Sequence, residues 1–242
     1  MTNKYTAFVL DVKGDFACFS RPEMKVERWS YPCPTPSAAR GVLDSIYFKP
    51  QFFWQVTKVE LLAMPSYIAL RRNEVGAKAP ADRTIASWAG GAEPSPLFAD
   101  APEHRQQRQT MALRDPHFRL HARIVPRPDF KSQQTAFNEQ FVRRASQGKC
   151  VWQPCLGCRE FVAFFRLVED LVAEERDKPA VRHDQDIGWM LYDVFDLSQP
   201  QDCHSRPFIT LFDAKIRGGV LEVPPFDSDD VRKPAKAERR AV

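Results

Sequence analysis

The sequence predicts an α+β chain built on a ferredoxin-like core with a small antiparallel β-sheet appended to it. Three observations lead there. Alternating and helical apolar patterns follow one another in the order strand, helix, strand, strand, helix, strand, which is the split βαβ arrangement. Beyond Lys178-Pro179 the chain turns to short strands, with Gly218-Gly219 suited to a tight hairpin turn between the last two. The 242 residues are 43% apolar and include 18 Phe and 5 Trp, enough large side chains for one good core or two modest ones.

Tyr5 to Lys13 reads as the first strand, with Phe8, Leu10 and Val12 on one side. Thr35-Pro36 opens a helix, because Thr caps well and Pro at the first helical position gives up only an amide that would be unpaired anyway. Its stripe is Ala38, Ala39, Val42, Leu43 and Ile46, and Pro50 ends it after Tyr47. Phe52 to Met64 is aromatic and β-branched, the second strand. Residues 71–108 read as a long polar insertion carrying prolines and Gly90-Gly91, of the kind that faces a partner. Phe118 to Val125 is the third strand; His117, Arg119, His121 and Arg123 share the face opposite Phe118, Leu120, Ala122 and Ile124. Phe137, Phe141 and Ala145 mark a second helix that Gly148 can end, and Phe161 to Val168 the fourth strand. Residues 1–180 are thus expected to form the main domain, 181–226 the appended sheet and 227–242 a mobile tail.

Lys and Arg number 35 against 31 Asp and Glu, a net charge of +4, but Arg is concentrated through 105–144, which would attract an anionic polymer. No stretch is long and apolar enough to span a membrane, no export signal precedes Asp11, and six Cys without such a signal read as reduced thiols; the expected location is the cytoplasm. Cys150, Cys155 and Cys158 lack a fourth ligand at zinc spacing, and His117 and His121 lie about 13 Å apart along a strand, so no metal or other cofactor is expected. Trp29, Tyr31 and Trp88 lie in polar surroundings where they could stack on bases, whereas Trp54, Trp152 and Trp189 sit in apolar runs that suit a core.

The segment from Tyr31 to Gly41, running on through Ile46, Tyr47, Phe48, Lys49 and Pro50, resembles the opening helix of the CRISPR-associated Cas-five family of subtype I-C, also called Dvulg. Arg71 to Glu74, Gln107-Arg108 with Leu113 to Asp115, and Phe141 to Ala145 with Gly157 to Phe161 match in order, over roughly residues 1–225. The resemblance implies an RNA-recognition-like (RAMP) domain with an attached sheet. It also implies cleavage of the CRISPR repeat hairpin without a metal, leaving a 5′-hydroxyl and a 2′,3′-cyclic phosphate. The protein would then remain on the 5′ handle of the guide RNA in Cascade, beside the backbone and large subunits. The family's active-site Tyr falls on Tyr47. Its Lys-His pair has no match: the chain reads Lys131-Ser132-Gln133-Gln134 there, with no His between His121 and His183.

Metal-free cleavage uses the substrate's 2′-hydroxyl as nucleophile and needs a base, cations for the charge on phosphorus and an acid for the leaving oxygen. The candidates are Tyr47, Lys49, His121 and His117. For phosphate contact they are Arg40, Arg71, Arg72, Arg114, Arg119, Arg123, Lys131, Arg143 and Arg144, since guanidinium groups bind phosphate bidentately. Tyr47 could equally complete the apolar stripe of its helix, and Lys49 could be a helix-end cation. The nuclease reading requires Tyr47 to face the same groove as the His- and Arg-bearing strand face. The missing Lys-His pair favours the alternative, a non-catalytic guide-RNA clamp; secondary affinity for duplex DNA is compatible with either.

Overall fold

In the computed structural model, residues 7–24, 26–76, 78, 80–95, 98, 101–200 and 207–234 are described. The elements, in chain order, are β1 (Phe8–Lys13), β2 (Phe16–Ala17), β3 (Arg28–Trp29), α1 (Pro36–Ile46), β4 (Phe52–Leu61), β5 (Tyr67–Val75), α2 (Asp82–Ala89), β6 (Arg105–Arg114), β7 (His117–Pro126), α3 (Gln134–Ala145), β8 (Phe164–Leu167), α4 (Leu171–Asp177), β9 (Gln185–Asp193), β10 (Thr210–Arg217) and β11 (Val220–Glu222). A seven-stranded sheet has the order β8-β1-β7-β4-β11-β10-β9, every neighbouring pair antiparallel.

Local chemistry sets the first helix. Thr35 Oγ1 accepts the Ala38 N–H at 3.1 Å, and Pro36 occupies the first turn. Ala39, Val42, Leu43 and Ile46 are buried at helical spacing. Alternation sets the sheet: register pairs Phe8 with Ala122, Leu10 with Leu120 and Trp54 with Ile124, and opposed residues share a face. Phe141 of α3 covers that face, its ring 4.8 Å from Phe8 and 4.6 Å from Trp54. Each such buried aromatic contributes about 2–3 kcal/mol through the apolar area it removes from water.

The described residues of 71–108 hold more regular structure than their polarity predicts. β5 and β6 pair from Tyr67↔Leu113 to Val75↔Arg105, α2 lies between them, and β6 also carries β2 and β3 to make a second, four-stranded sheet. The C-terminal strands join the main sheet, since β11 pairs with β4 at Val220↔Glu60 and Leu221↔Val59. Residues 227–234 pack against the body: Val231 is buried and Arg232 bridges to Leu211. The rest of the expected tail, and Tyr5, lie outside the described residues.

One turn is sterically fixed. Gly157 has φ +87°, and an added Cβ would stand 2.0 Å from the Cys18 carbonyl oxygen, whereas Gly148, at φ +65°, has open space around it. Gly148→Ala is expected to cost about 1–2 kcal/mol through backbone strain alone. Gly157→Ala adds a backbone clash and is expected to cost well over about 2 kcal/mol, read from urea midpoints.

Candidate active site

α1 stops at Tyr47, whose N–H still donates to Leu43 O at 2.9 Å but whose backbone is already extended. The Tyr47 ring packs 5.2 Å from Phe52 and is only 6% exposed, so most of it belongs to the core. Trp54 Nε1 donates to the Tyr47 carbonyl at 2.9 Å and Arg144 Nε to the Ile46 carbonyl at 2.6 Å. Arg144 thereby satisfies a helix-end acceptor and sets a cation against the negative end of α1. Lys49 is exposed, its Nζ 6.0 Å from the Tyr47 ring centre and 5.7 Å from that of Phe137. Burial raises the Tyr47 hydroxyl pKa, with Arg144 pulling the other way. At neutral pH the side chain is therefore a neutral phenol, with a hydroxyl proton available to a hydrogen-bond acceptor. Tyr47, Lys49 and Arg144 form one cluster on the helical side of the sheet.

The histidines are elsewhere. His117, Arg119 and His121 lie on the opposite face of β7, which carries ion pairs in place of an open cationic surface. Arg119 is fully buried; Nη1 pairs with Glu60, and Nη2 donates to Lys178 O at 2.9 Å and Glu174 O at 3.3 Å. His121 Nε2 lies 2.7 Å from Glu60 Oε1, close enough for ionic attraction but off the line of a hydrogen bond. Lys58 Nζ approaches the same oxygen at 2.6 Å. Burial pushes the Glu60 carboxyl up, but His121, Lys58 and Arg119 outweigh it and bring it down to about 2. His117 lies between Asp11 Oδ1 (2.8 Å from Nε2) and Lys178 Nζ (2.6 Å from Nδ1). An ammonium can only donate, so Nδ1 accepts and Nε2 carries the proton toward Asp11. Burial opposes the Asp11 charge, but His117, Arg166 and Lys178 together hold its pKa below the usual value. The sheet therefore separates Tyr47 from both histidines, and the single groove expected to hold all of them does not form.

Arg40 corrects in the same way. It is 5% exposed, with Nε and Nη2 on Asp193 at 2.7 and 3.1 Å and Nη1 on Asp44 at 2.5 Å, a structural ion triad unable to reach a phosphate. Arg72 is half-buried and paired with Glu160 and Glu74. Arg71, Arg114, Arg123, Lys131 and Arg143 are exposed, as phosphate contact requires. Trp54 is core as expected, but Tyr31 is buried, while Trp152 and Trp189 are more than half exposed. Cys18, Cys33, Cys150, Cys155 and Cys158 are free thiols; among the described residues no group of three or more His, Cys, Asp or Glu is placed to hold a metal, and no helix is long and apolar enough to cross a membrane. Arg28, which sequence did not single out, and Arg108, named there only within a matching motif, border an open groove on the second sheet.

Two curated relatives carry the name CRISPR pre-crRNA endoribonuclease Cas5d. The one from Mannheimia succiniciproducens is 36% identical over 93% of this chain and 97% of its own; the one from Thermus thermophilus is 38% identical over 88% and 89%. A crystal structure titled as a CRISPR-associated protein superposes with a TM-score of 0.61 at 18% identity, covering 93% of this chain and 96% of its own. A chain of a CRISPR RNA-guided surveillance complex gives 0.52 at 17%, covering 90% and 91%. Both structures establish likeness of fold, a mixed α+β architecture of largely antiparallel sheets. A family model described as CRISPR-associated protein (Cas_Cas5) matches residues 7–224, nearly the whole described body, and with the two relatives it shows that this chain belongs to the Cas5 family of type I-C, the Cas5d branch.

Proposed function

We propose that the chain is an endoribonuclease that cuts the repeat of a CRISPR precursor transcript through attack of the substrate's own 2′-hydroxyl, without a metal, and leaves a 2′,3′-cyclic phosphate. The observation that carries this reading is the likeness, over at least 88% of the chain, to two proteins named for pre-crRNA cleavage. The cluster at the end of α1 suits the chemistry. A phenol, an ammonium and a guanidinium supply a hydrogen-bond donor and two cations for a phosphorus centre gaining charge. Tyr47 is assigned to hydrogen-bond the scissile phosphate, with Lys49 and Arg144 neutralising it. His117 and His121 have no part.

The finer fold reading also belongs here. The strand order β8-β1-β7-β4 with α1 and α3 on one face supports a ferredoxin-like RAMP core within residues 1–180, with 181–226 as the sheet added at its β4 edge. After cleavage the protein is read as staying on the 5′ handle inside Cascade, in the cytoplasm, beside the backbone and large subunits. Exposed Arg114 and Arg123 give any duplex DNA affinity a strong salt dependence. A second reading, a non-catalytic guide-RNA clamp, is favoured by one observation: neither described histidine of β7 reaches Tyr47. Incubating the purified protein with its repeat RNA in EDTA separates the two. A product ending in cyclic phosphate is expected; tight binding with an intact RNA would establish the clamp.

A further inference from the structure

We propose that the outer face of the second sheet is a stacking platform for unpaired nucleotides flanking the repeat hairpin, with Trp29 as the base-stacking side chain and Arg71 as the phosphate contact. The proposal rests on the RNA-binding part of the reading above and is independent of whether the chain cuts.

Register defines the face. Trp29 pairs in parallel with Met111, Met111 with Ala69, Arg71 with Gln109, Asn73 with Gln107, and Val75 with Arg105, so these side chains share one side of the sheet. Along β5 that side is the exposed one: Tyr67, Ala69, Arg71, Asn73 and Val75 are open, whereas Ile68, Leu70, Arg72 and Glu74 are half-buried. The inner side packs Ile68 and Leu70 onto Ala112 and Phe161 and otherwise carries ion pairs. Glu74 is shared by Arg28 at 3.3 Å, Arg72 at 3.1 Å and Arg108 at 3.6 Å, and Arg72 also meets Glu160. The outer side is different in kind. Arg71 makes no ion pair among the described residues, Trp29 is 43% exposed, and Gln107 and Gln109 present amides. The one carboxylate bordering the groove, Glu27, already accepts the Gln109 backbone N–H at 2.6 Å. Trp29 lines the groove, its ring tilted against that of Tyr67 at 6.3 Å between centres.

The groove encloses about 530 Å³ and is open along its length, which suits a passing strand better than an enclosed small molecule. Its chemistry selects among polymers. An indole face holds any base by stacking, amides can read a base edge, and an unpaired guanidinium holds the phosphate that accompanies each base. A duplex offers no unstacked base, so the occupant is a single-stranded RNA segment.

The test compares the full-length protein binding two RNAs: its repeat hairpin alone, and the same hairpin carrying an unpaired flank of about 8 nucleotides, within the usual span of a single-strand platform. Trp29→Ala is expected to weaken binding of the flanked RNA about tenfold and leave the bare hairpin unchanged. Trp29→Phe should retain most of the affinity, since a smaller aromatic face still stacks. Arg71→Ala should weaken only the flanked RNA and lower its salt slope by about one. Trp29 is exposed, so these changes spare the core. Equal losses on both RNAs, or none on either, would overturn the platform; the latter would hand the face to a protein partner. A protein that discriminates the flank through Trp29 yet never cuts would retain the platform and dismiss the nuclease.

Discussion

Glu60→Gln is expected to destabilise the protein by about 3–5 kcal/mol at neutral pH, because it leaves the fully buried Arg119 guanidinium without a counter-charge. The same carboxylate makes stability depend on acid. Its pKa falls from an ordinary 4.5 to about 2 on folding, so the native state is favoured while the group is ionised. That contribution is complete above about pH 4.5 and is lost as pH falls toward 2, amounting to about 3 kcal/mol over the window. Urea unfolding at pH 7 and pH 4 followed down to pH 2 should show the wild type losing this increment and Glu60→Gln losing much less. The variant keeps the slope from Asp11 and Glu174, whose pKa values are also depressed. Lys58→Met is the contrast: Lys58 is a quarter exposed, and its loss should cost under about 1 kcal/mol. A Glu60→Gln protein within about 1 kcal/mol of wild type would mean that Arg119 is held by the Lys178 and Glu174 carbonyls alone.

That network also marks where sequence stops being informative. Periodicity and capping reach only a few residues along the chain, and within that reach they served well: Thr35 and Pro36 start α1, and the alternation of β7 sorts Leu120 from Arg119. What alternation cannot show is the partner. Arg119 meets Glu60 from 59 residues away and Arg40 meets Asp193 from 153, so each looked like a surface cation awaiting phosphate and is a buried one already neutralised. The same blindness affected aromatics. Trp152 and Trp189 have apolar neighbours in sequence but are exposed, while Tyr31, among prolines, is sealed in the core. The β5–β6 arm was hidden for another reason: with one side solvated and the other lined in part by ion pairs, it lacks the apolar alternation that announces a strand. Of the candidate site, Tyr47, Lys49 and Arg144 were named from sequence, but only the fold joins Arg144 to the end of α1 and moves both histidines of β7 to the far side of the sheet.

That separation gives the catalytic proposal its sharpest expected result. Lys49→Ala should slow repeat cleavage about a hundredfold while changing RNA affinity only a few-fold, because a preorganised cation matters most when charge develops on phosphorus. Tyr47→Phe should slow cleavage about tenfold, the loss of one donated hydrogen bond, with stability preserved because the ring keeps its packing on Phe52. The pH profile distinguishes donor from base. Burial raises the Tyr47 pKa above its ordinary value of 10, so a donating phenol keeps working as the solution turns alkaline and fails only above that value, whereas a phenolate base would gain rate through the same range. His117→Gln and His121→Gln should leave single-turnover cleavage of folded protein within about twofold, since the sheet stands between them and Tyr47. If His117→Gln abolishes cleavage while Lys49→Ala does not, the reacting phosphate lies on the opposite face, and Tyr47 is a core residue of α1 and nothing more.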